Sequence, residues 1–450
     1  MPRRRRQLSP PQLLALSISA LIALGSLLLW LPVSAPAGRS LSLVDAFFTA
    51  TSAVCVTGLV VVDTPHDLSM FGQAVVLVLI QLGGLGYMTI STVLAAAFGR
   101  AITLQERLTL QEALNVHDLE GLVRFAGTVL KLTLFFELTG ATILAVRWWG
   151  ELGPSQAMWY GLFHAVSAFN NAGFALWSDS LIGWQTDLTV NGVISALIIF
   201  GGLGFFVMNE LMRLRSRVTM SLHTRLALTS TAALIVLGMV AILSLEWHNP
   251  GTLGRLPLGD RLLAAWFQSV TARTAGFNTV NIAALTPPTL FLMMALMFIG
   301  ASPGGTGGGV KTTTFSVTVA ALWATVRGDD EPVMFGRRIS DDTVARAFFV
   351  SLIAFLALNG AAGVLLIAES RPFMETLFET TSAFGTVGLS TGMPGTALSL
   401  VGGFGAIGKV LIVGLMFMGR VGPLTLAFAL ARRGSLKARI RYPEGKVLIG

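Results

Sequence analysis

Apolar positions along this chain gather into long unbroken runs instead of alternating with polar ones. Eight runs stand out, at approximately 11–32, 71–98, 123–148, 189–212, 224–246, 289–325, 343–368 and 402–431. Each reaches the roughly 20 residues that a helix needs to cross a hydrocarbon layer of about 30 Å. The sixth is interrupted, because Ser302 to Val310 holds Pro303 and five glycines. Inside a helix these would cost about 1 kcal/mol per Gly and 3 per Pro, so an intramembrane loop is expected there.

Between the long runs lie four shorter segments on one theme: FTATSAVCVTGL around Gly58, FHAVSAFNNAGF around Gly173, FQSVTARTAGFN around Gly276 and FETTSAFGTVGL around Gly388. Each has an aromatic start, a Ser/Thr-rich stretch and a lone glycine followed by Leu or Phe. An internal repeat of this kind sets the architecture before any single residue is interpreted. Short helices are predicted over Val44 to Ala53, Trp159 to Ala168, Arg261 to Thr271 and Met374 to Ala383. Some ten residues at 1.5 Å each reach roughly 15 Å, half the membrane. The expected fold is an all-α polytopic membrane protein with four parallel repeats of outer helix, pore loop and inner helix around one pseudo-fourfold pore. The repeats divide the chain at 1–98, 99–212, 213–325 and 326–450.

Non-helical backbone at mid-membrane depth is tolerated only where it is buried in protein or lines water, so the four glycine stretches should line the pore. A dehydrated monovalent cation needs oxygen ligands, which rings of backbone carbonyls supply without a fixed charge in lipid. Glycine permits positive φ and adds no Cβ to a crowded axis. The candidate filter is therefore Val56, Thr57 and Gly58; Asn171, Ala172 and Gly173; Thr274, Ala275 and Gly276; and Thr386, Val387 and Gly388, the last of which resembles the TVG core of the potassium-channel motif, so that potassium is expected at the carbonyls of the four glycines. The third segment is one residue shorter between Phe267 and Gly276, which puts strict fourfold symmetry in doubt.

Composition narrows the class further. With 53% hydrophobic and 12% charged residues the chain has no ordinary soluble surface. Of the 31 Lys and Arg, about 21 fall on one side, in the amino terminus, 99–124, 213–225, 325–346 and the tail from Arg432. By the positive-inside rule both termini are expected in the cytoplasm. The pI of about 10.3 follows from this asymmetry, so no nucleic-acid partner is expected. The first apolar run lacks a convincing cleavage site and reads as a span, not a signal peptide. The single cysteine, Cys55, rules out an intrachain disulfide.

The inner helices carry a second signal: QLGGLGYMTI from Gln81, IFGGLGFFVM from Ile199, FIGASPGGTGGGVK from Phe298 and FMGRVGPL from Phe417. Glycines here permit either close helix packing or a bend. Gly304, Gly305, Thr306, Gly307, Gly308 and Gly309, with Lys311 and Arg420, form the candidate gate. Arg420 lies in a span, where a charge costs at least about 2.5 kcal/mol. It is either an electrostatic barrier below the filter or the partner of Glu137 in a structural ion pair. Lys311 either assists that barrier or snorkels to the interface. Asn170 and Asn171 are expected to brace the second filter loop, and Arg273 to pair with a carboxylate such as Glu379. Asp63, Asp67, Asp179 and Asp187 follow the first two filter segments, where they either draw cations to the mouth or remain solvated loop charges. GGTGGGVK fails the phosphate-loop pattern because Val310 precedes the lysine. The five histidines have no metal-ligand spacing, and neither HExxH nor Gly-x-Ser-x-Gly is present, so no enzyme is expected.

Taken together, TSAVCVTGL at 51–59, SAFNNAGF at 167–174, TARTAGFN at 271–278, SAFGTVGLS at 382–390, ASPGGTGGGVKTTTF at 301–315 and GRVGPLTL at 419–426 resemble the Trk/Ktr/HKT superfamily of potassium transporters. The resemblance is greatest to the Ktr-type membrane subunit, since one span alone precedes the first pore loop. It implies potassium as substrate, a homodimer, and a cytoplasmic regulatory ring that carries the nucleotide (ATP, ADP or NAD), with no cofactor on this chain. It also supports the barrier reading of Arg420. In some plant relatives the first filter glycine is serine and sodium is preferred; Gly58 favours potassium. A sodium- or proton-coupled transporter with alternating access is the alternative, although it would normally show inverted repeats.

Overall fold

The computed structural model describes residues 9–86, 122–213 and 220–430, together with Leu108. Four outer helices, Pro10–Trp30, Leu122–Leu152, Leu222–Glu246 and Asp341–Glu369, are each long and apolar enough to cross a membrane. Their outward faces carry Leu24, Phe135, Leu138, Leu237, Val240, Phe355 and Ile367, all exposed. So much exposed apolar surface is stable only with lipid as the solvent.

Each outer helix is followed by a pore helix: Leu43–Val54, Pro154–Phe169, Leu258–Thr271 and Phe373–Gly385. These are 12 to 16 residues long and cannot span. Proline in the first turn at Pro154, and the Ser42 hydroxyl accepting from the Asp45 amide, satisfy two of the starts. The inner helices follow, beginning Met70–Leu85, Leu188–Leu203, Pro287–Phe298 and Ala406–Val421. Each pore helix packs on its own outer helix, and each inner helix packs on the pore helix of the next repeat, the fourth returning to the first. That cyclic rule closes the four repeats around one axis.

The sequence predicts one interrupted span, yet three inner helices are broken among the described residues. In the second repeat, Leu188–Leu203 turns by 96° into Phe205–Arg213 at Gly204, whose φ is +94°. In the fourth, Gly422 (φ +91°) separates Ala406–Val421 from Pro423–Leu430. In the third, the chain leaves Phe298 and resumes as Thr312–Arg327. A left-handed residue ends the helical hydrogen-bond ladder, and an apolar run gives no sign of it beyond the glycine itself. The first inner helix ends at Gly86, also left-handed (φ +74°). The basic amino terminus, most of segment 99–124 and the tail from Arg432 lie outside the described residues.

Candidate functional site

The four glycines meet in a closed ring. A Cβ on Gly58 would strike the Ala172 carbonyl and the Cα of Gly173. One on Gly173 would lie 2.8 Å from the Ala275 carbonyl and 3.0 Å from the Cα of Gly276. Gly276 faces the Val387 carbonyl and Gly388, and Gly388 faces the Thr57 carbonyl and returns to Gly58. No side chain fits anywhere on this circuit, because real Cβ atoms do not approach backbone so closely. The shorter third segment still delivers Gly276 into the ring.

All four loops share one backbone pattern. The glycines have φ of +89°, +71°, +82° and +91°, and the residues two places earlier, Val56, Asn171, Thr274 and Thr386, are also left-handed at +52°, +58°, +75° and +50°. For Val56, Thr274 and Thr386, branched at Cβ, that conformation is strained, and the surroundings must hold it. The Ser/Thr of each pore helix does so. Ser52 accepts from the Gly58 amide (3.1 Å) and donates to the Leu59 carbonyl (2.8 Å). Ser167 donates to Phe174 (2.8 Å) and Thr271 to Phe277 (2.5 Å), while Ser382 accepts from the Gly388 amide (3.0 Å). In the third repeat the brace stands five residues before the glycine instead of six, which absorbs the deletion. The glycine pattern is visible in sequence; the left-handed residue before it is not, because Val, Asn and Thr all occupy it.

A cavity of about 690 Å³ opens on one side of the ring, lined by all four glycines together with Asp63, Asp179 and Asn278. Of the other two aspartates, Asp67 pairs with Arg39 at 3.2 Å and Asp187 with Arg147 at 2.6 Å, so both are engaged in ion pairs. On the far side a second cavity of about 520 Å³ is lined by Gly83, Gly84, Gly304, Gly307, Lys311 and Arg420.

Between the ring and this second cavity lies the segment from Gly300 to Lys311. Its ends are pinned where Ile299 bridges Val310, with the Gly300 amide on the Val310 carbonyl at 2.8 Å. Its body is held by the Ser302 amide on Gly202 (2.9 Å), the Thr306 amide on Gly201 (3.1 Å) and the Gly308 amide on Thr386 Oγ1 (3.0 Å). The last of these ties the loop directly to a ring residue. Arg420 donates to the carbonyls of Thr306 and Gly83, and to that of Gly84 at 3.0 Å. Lys311 Nζ donates to the Gly307 carbonyl at 2.6 Å, pointing into the same cavity and not outward to an interface.

The expected pair of Arg273 with Glu379 is absent, and so is the alternative pair of Arg420 with Glu137. Glu137 accepts from Asn170 Nδ2 (2.9 Å) and Gln81 Nε2 (3.2 Å), not from Arg420. Arg273 donates to the carbonyls of Thr231 and Gly300, both at 3.2 Å, and Glu379 accepts from the Val401 amide (3.0 Å). Both arginines are satisfied by backbone carbonyls, which any residue supplies, so residue types could not have identified the partners. Asn170 holds the second loop through Glu137 and Gln81. The Asn171 amide, oriented to satisfy both its ends, accepts from Thr274 Oγ1 (2.9 Å) and donates to the Ala168 and Ile198 carbonyls (3.1 and 3.2 Å).

The inner-helix glycines prove to have two distinct tasks. Gly83, Gly201 and Gly419 lie against the carbonyls of Val54, Phe169 and Phe384, at the ends of their pore helices, where a Cβ would collide. Three residues later, Gly86, Gly204 and Gly422 carry the left-handed breaks. The slot directly after the packing glycine holds Gly84, Gly202 and Ala301 in the first three repeats and Arg420 in the fourth.

Four half-length helices delivering left-handed glycine loops into a ring, with lipid-facing helices outside, define a polytopic membrane protein of the pore-loop class. The family described as TrkH, cation transport protein, matches residues 11–436, and the chain belongs to it, within the Trk/Ktr superfamily. Among curated relatives, the Ktr system potassium uptake protein B of Bacillus subtilis is 42% identical over 98% of this chain and 97% of its own length. Its namesake from Vibrio alginolyticus is 40% identical over 98% and 95%. The potassium/sodium uptake protein NtpJ of Enterococcus hirae is 38% identical over 100% and 99%. The crystal structure of the potassium transporter TrkH from Vibrio parahaemolyticus superposes with a TM-score of 0.73 at 17% identity, covering 96% of this chain and 87% of that one, a likeness of fold.

Proposed function

We propose that this chain conducts potassium into a bacterial cell as the membrane subunit of a Ktr-type uptake system. The observation that carries the reading is the closed ring of Gly58, Gly173, Gly276 and Gly388 between two cavities. Alternation of left- and right-handed residues turns successive peptide planes so that carbonyls face one side, which suits a dehydrated cation. The filter strands are then Val56 to Gly58, Asn171 to Gly173, Thr274 to Gly276 and Thr386 to Gly388. Their pore helices end at the ring, adding the negative ends of four helix dipoles.

Below the ring, the segment Gly304 to Gly309 is the gate, held shut by Arg420 and Lys311. Both cations stand on its carbonyls, so seating the loop also places two positive charges next to the cavity that a permeating ion must cross. The repeats divide at 1–98, 99–212, 213–325 and 326–450, with both termini cytoplasmic. Control comes from a separate cytoplasmic nucleotide-binding ring acting on a homodimer; the relatives' name, Ktr system potassium uptake protein B, supports a system of more than one component. Its contact on this chain is the segment from Arg327 to Asp342, directly after the broken helix. There a short hairpin, Val333–Met334 with Arg337–Arg338, is braced by Arg338 against Glu331 at 2.7 Å.

The name of the Enterococcus relative, potassium/sodium uptake protein, favours sodium linkage as the second reading. One experiment tests both. The chain is expressed in a bacterium lacking its potassium uptake systems, and uptake of potassium is followed with and without external sodium. Growth at low potassium is expected; no uptake with protein present in the membrane would reject the proposal, and strict dependence on sodium would favour the coupled reading.

A further inference from the structure

One column of the fourfold alignment is left unused by the filter and the gate. Directly after the leading phenylalanine of each pore helix stand Thr49, His164, Gln268 and Glu379. All are polar and all are buried, at 2%, 0%, 1% and 0% exposure. Each lies three residues before its brace Ser or Thr, on the same helix face. Three of them grip the chain where it leaves the ring. The Leu176 amide, three residues past Gly173, donates to His164 Nε2 at 3.2 Å, and His164 Nδ1 donates to the Tyr160 carbonyl at 2.7 Å, which fixes the tautomer. Gln268 Nε2 reaches Thr279 Oγ1, three residues past Gly276, at 3.5 Å. Glu379 accepts from the Val401 amide at 3.0 Å, and the neighbouring Leu400 amide donates to Ser390 Oγ, two residues past Gly388, at 2.8 Å.

Thr49 is the exception, since its hydroxyl has no partner. The first exit strand is held from outside its own repeat: the Val60 amide donates to Ser399 Oγ and the Ser399 amide to the Val60 carbonyl, both at 3.0 Å. Ser399 lies two residues from the amide that Glu379 holds, so Glu379 steadies the exits of repeats four and one together. Repeats two and three are joined by the Leu181 amide on the Asn278 carbonyl (3.0 Å) and the Asn278 amide on Ser180 Oγ (3.2 Å). The mouth is thus assembled from two halves, one fixed through Glu379 and the other through His164 and Gln268.

We propose that Glu379 and His164, assisted by Gln268, are specificity-positioning residues, which fix the exit strands and so the spacing of the carbonyls in the ring. His164 and Glu379 each supply a buried acceptor for a backbone N–H, that of Leu176 and of Val401, and removing it orphans that donor, whereas Gln268 donates to the Thr279 hydroxyl. The inference rests on the filter reading given above. The test compares Glu379→Leu with Glu379→Gln, which keeps the acceptor oxygen. Potassium and sodium uptake, KM and maximal rate per membrane-inserted molecule are measured in whole cells, beside Gly58→Ser. Glu379→Leu is expected to lower the potassium-to-sodium ratio on the order of tenfold, the factor set by one buried hydrogen bond. Its KM for potassium should rise while the maximal rate stays within about twofold, and Glu379→Gln should restore the ratio. An unchanged ratio in Glu379→Leu, or an equal loss in Glu379→Gln, overturns the proposal. If Glu379→Leu does not accumulate, His164→Leu against His164→Gln decides by the same criteria. Loss of selectivity in Gly58→Ser but not in the anchor variants leaves the filter standing and removes the anchors; no change in any of them removes the filter reading itself.

Discussion

The glycine ring and the layer directly beneath it are built from the same four repeats, yet one keeps the repeat symmetry and the other discards it. In the ring, four loops of different sequence share the same two left-handed positions and the same hydroxyl brace. In the layer below, equivalent slots hold Gly84, Gly202, Ala301 and Arg420, and a single loop from the third repeat is bonded to the other repeats. An ion on the axis must be wrapped from all sides at once, so the ring requires four alike contributions. A barrier requires only one obstruction, which in the proposed reading is one arginine with one loop.

This contrast can be broken from either side. The largest effect is expected in the ring, from Gly388→Val. A branched side chain there must adopt φ near +91° and collide with the Thr57 carbonyl. Potassium uptake should fall about a hundredfold or more at normal membrane abundance, given the strain of such a residue. Undiminished uptake would mean that the ring is not on the ion path.

In the lower layer, deletion of Gly304 to Gly308 removes the carbonyl that Arg420 holds while leaving the Ile299–Val310 bridge to close the gap. Flux should rise on the order of tenfold, as expected when the plug is removed and Arg420 and Lys311 lose the Thr306 and Gly307 carbonyls that hold their charges beside a low-dielectric vestibule. That flux should no longer respond to the regulatory partner or its nucleotide, and normal switching would contradict the gate assignment. Arg420→Ala should raise flux less, about threefold, since Lys311 still stands on the Gly307 carbonyl. Normal expression with unchanged or reduced flux would show the arginine to be a strut only. Smallest of all, Ser52→Ala removes one brace of four with its two hydrogen bonds, and because three braces remain a decline in potassium selectivity of about twofold is expected, the low end of what a hydrogen bond contributes. A change as large as that of Gly388→Val would mean that the braces do not share the load.

What could be read from the amino-acid sequence divides along the same line. The glycines announced themselves because only glycine meets those contacts, and the loop at 301–311 because its composition cannot sustain a helix. The breaks at Gly204 and Gly422 were half visible, since a glycine in an apolar run serves equally for packing or for bending, and here one glycine of each pair does each task. The strained residues Val56, Thr274 and Thr386 were hidden as conformers, because their conformation is imposed by the brace and not by their own preference, whereas Asn171 is of a type that visits that region readily. The partners of Arg420 and Arg273 were hidden for a different reason: a carbonyl acceptor has no side-chain signature, so the expected pairing of Arg273 with Glu379 was wrong and the ion-pair alternative for Arg420 falls away with it.

The central claim is that the glycine ring chooses the ion, and Gly58→Ser tests it most directly. The purified variant and the unaltered protein are reconstituted into vesicles of the same lipid, and the permeability of potassium relative to sodium is measured across a set gradient. A hydroxymethyl group at Gly58 would press on the Ala172 carbonyl and the Gly173 Cα, so the ratio should fall markedly, on the order of tenfold for a displaced carbonyl ligand. A ratio equal to that of the unaltered protein, with the variant folded and conducting, would contradict the account.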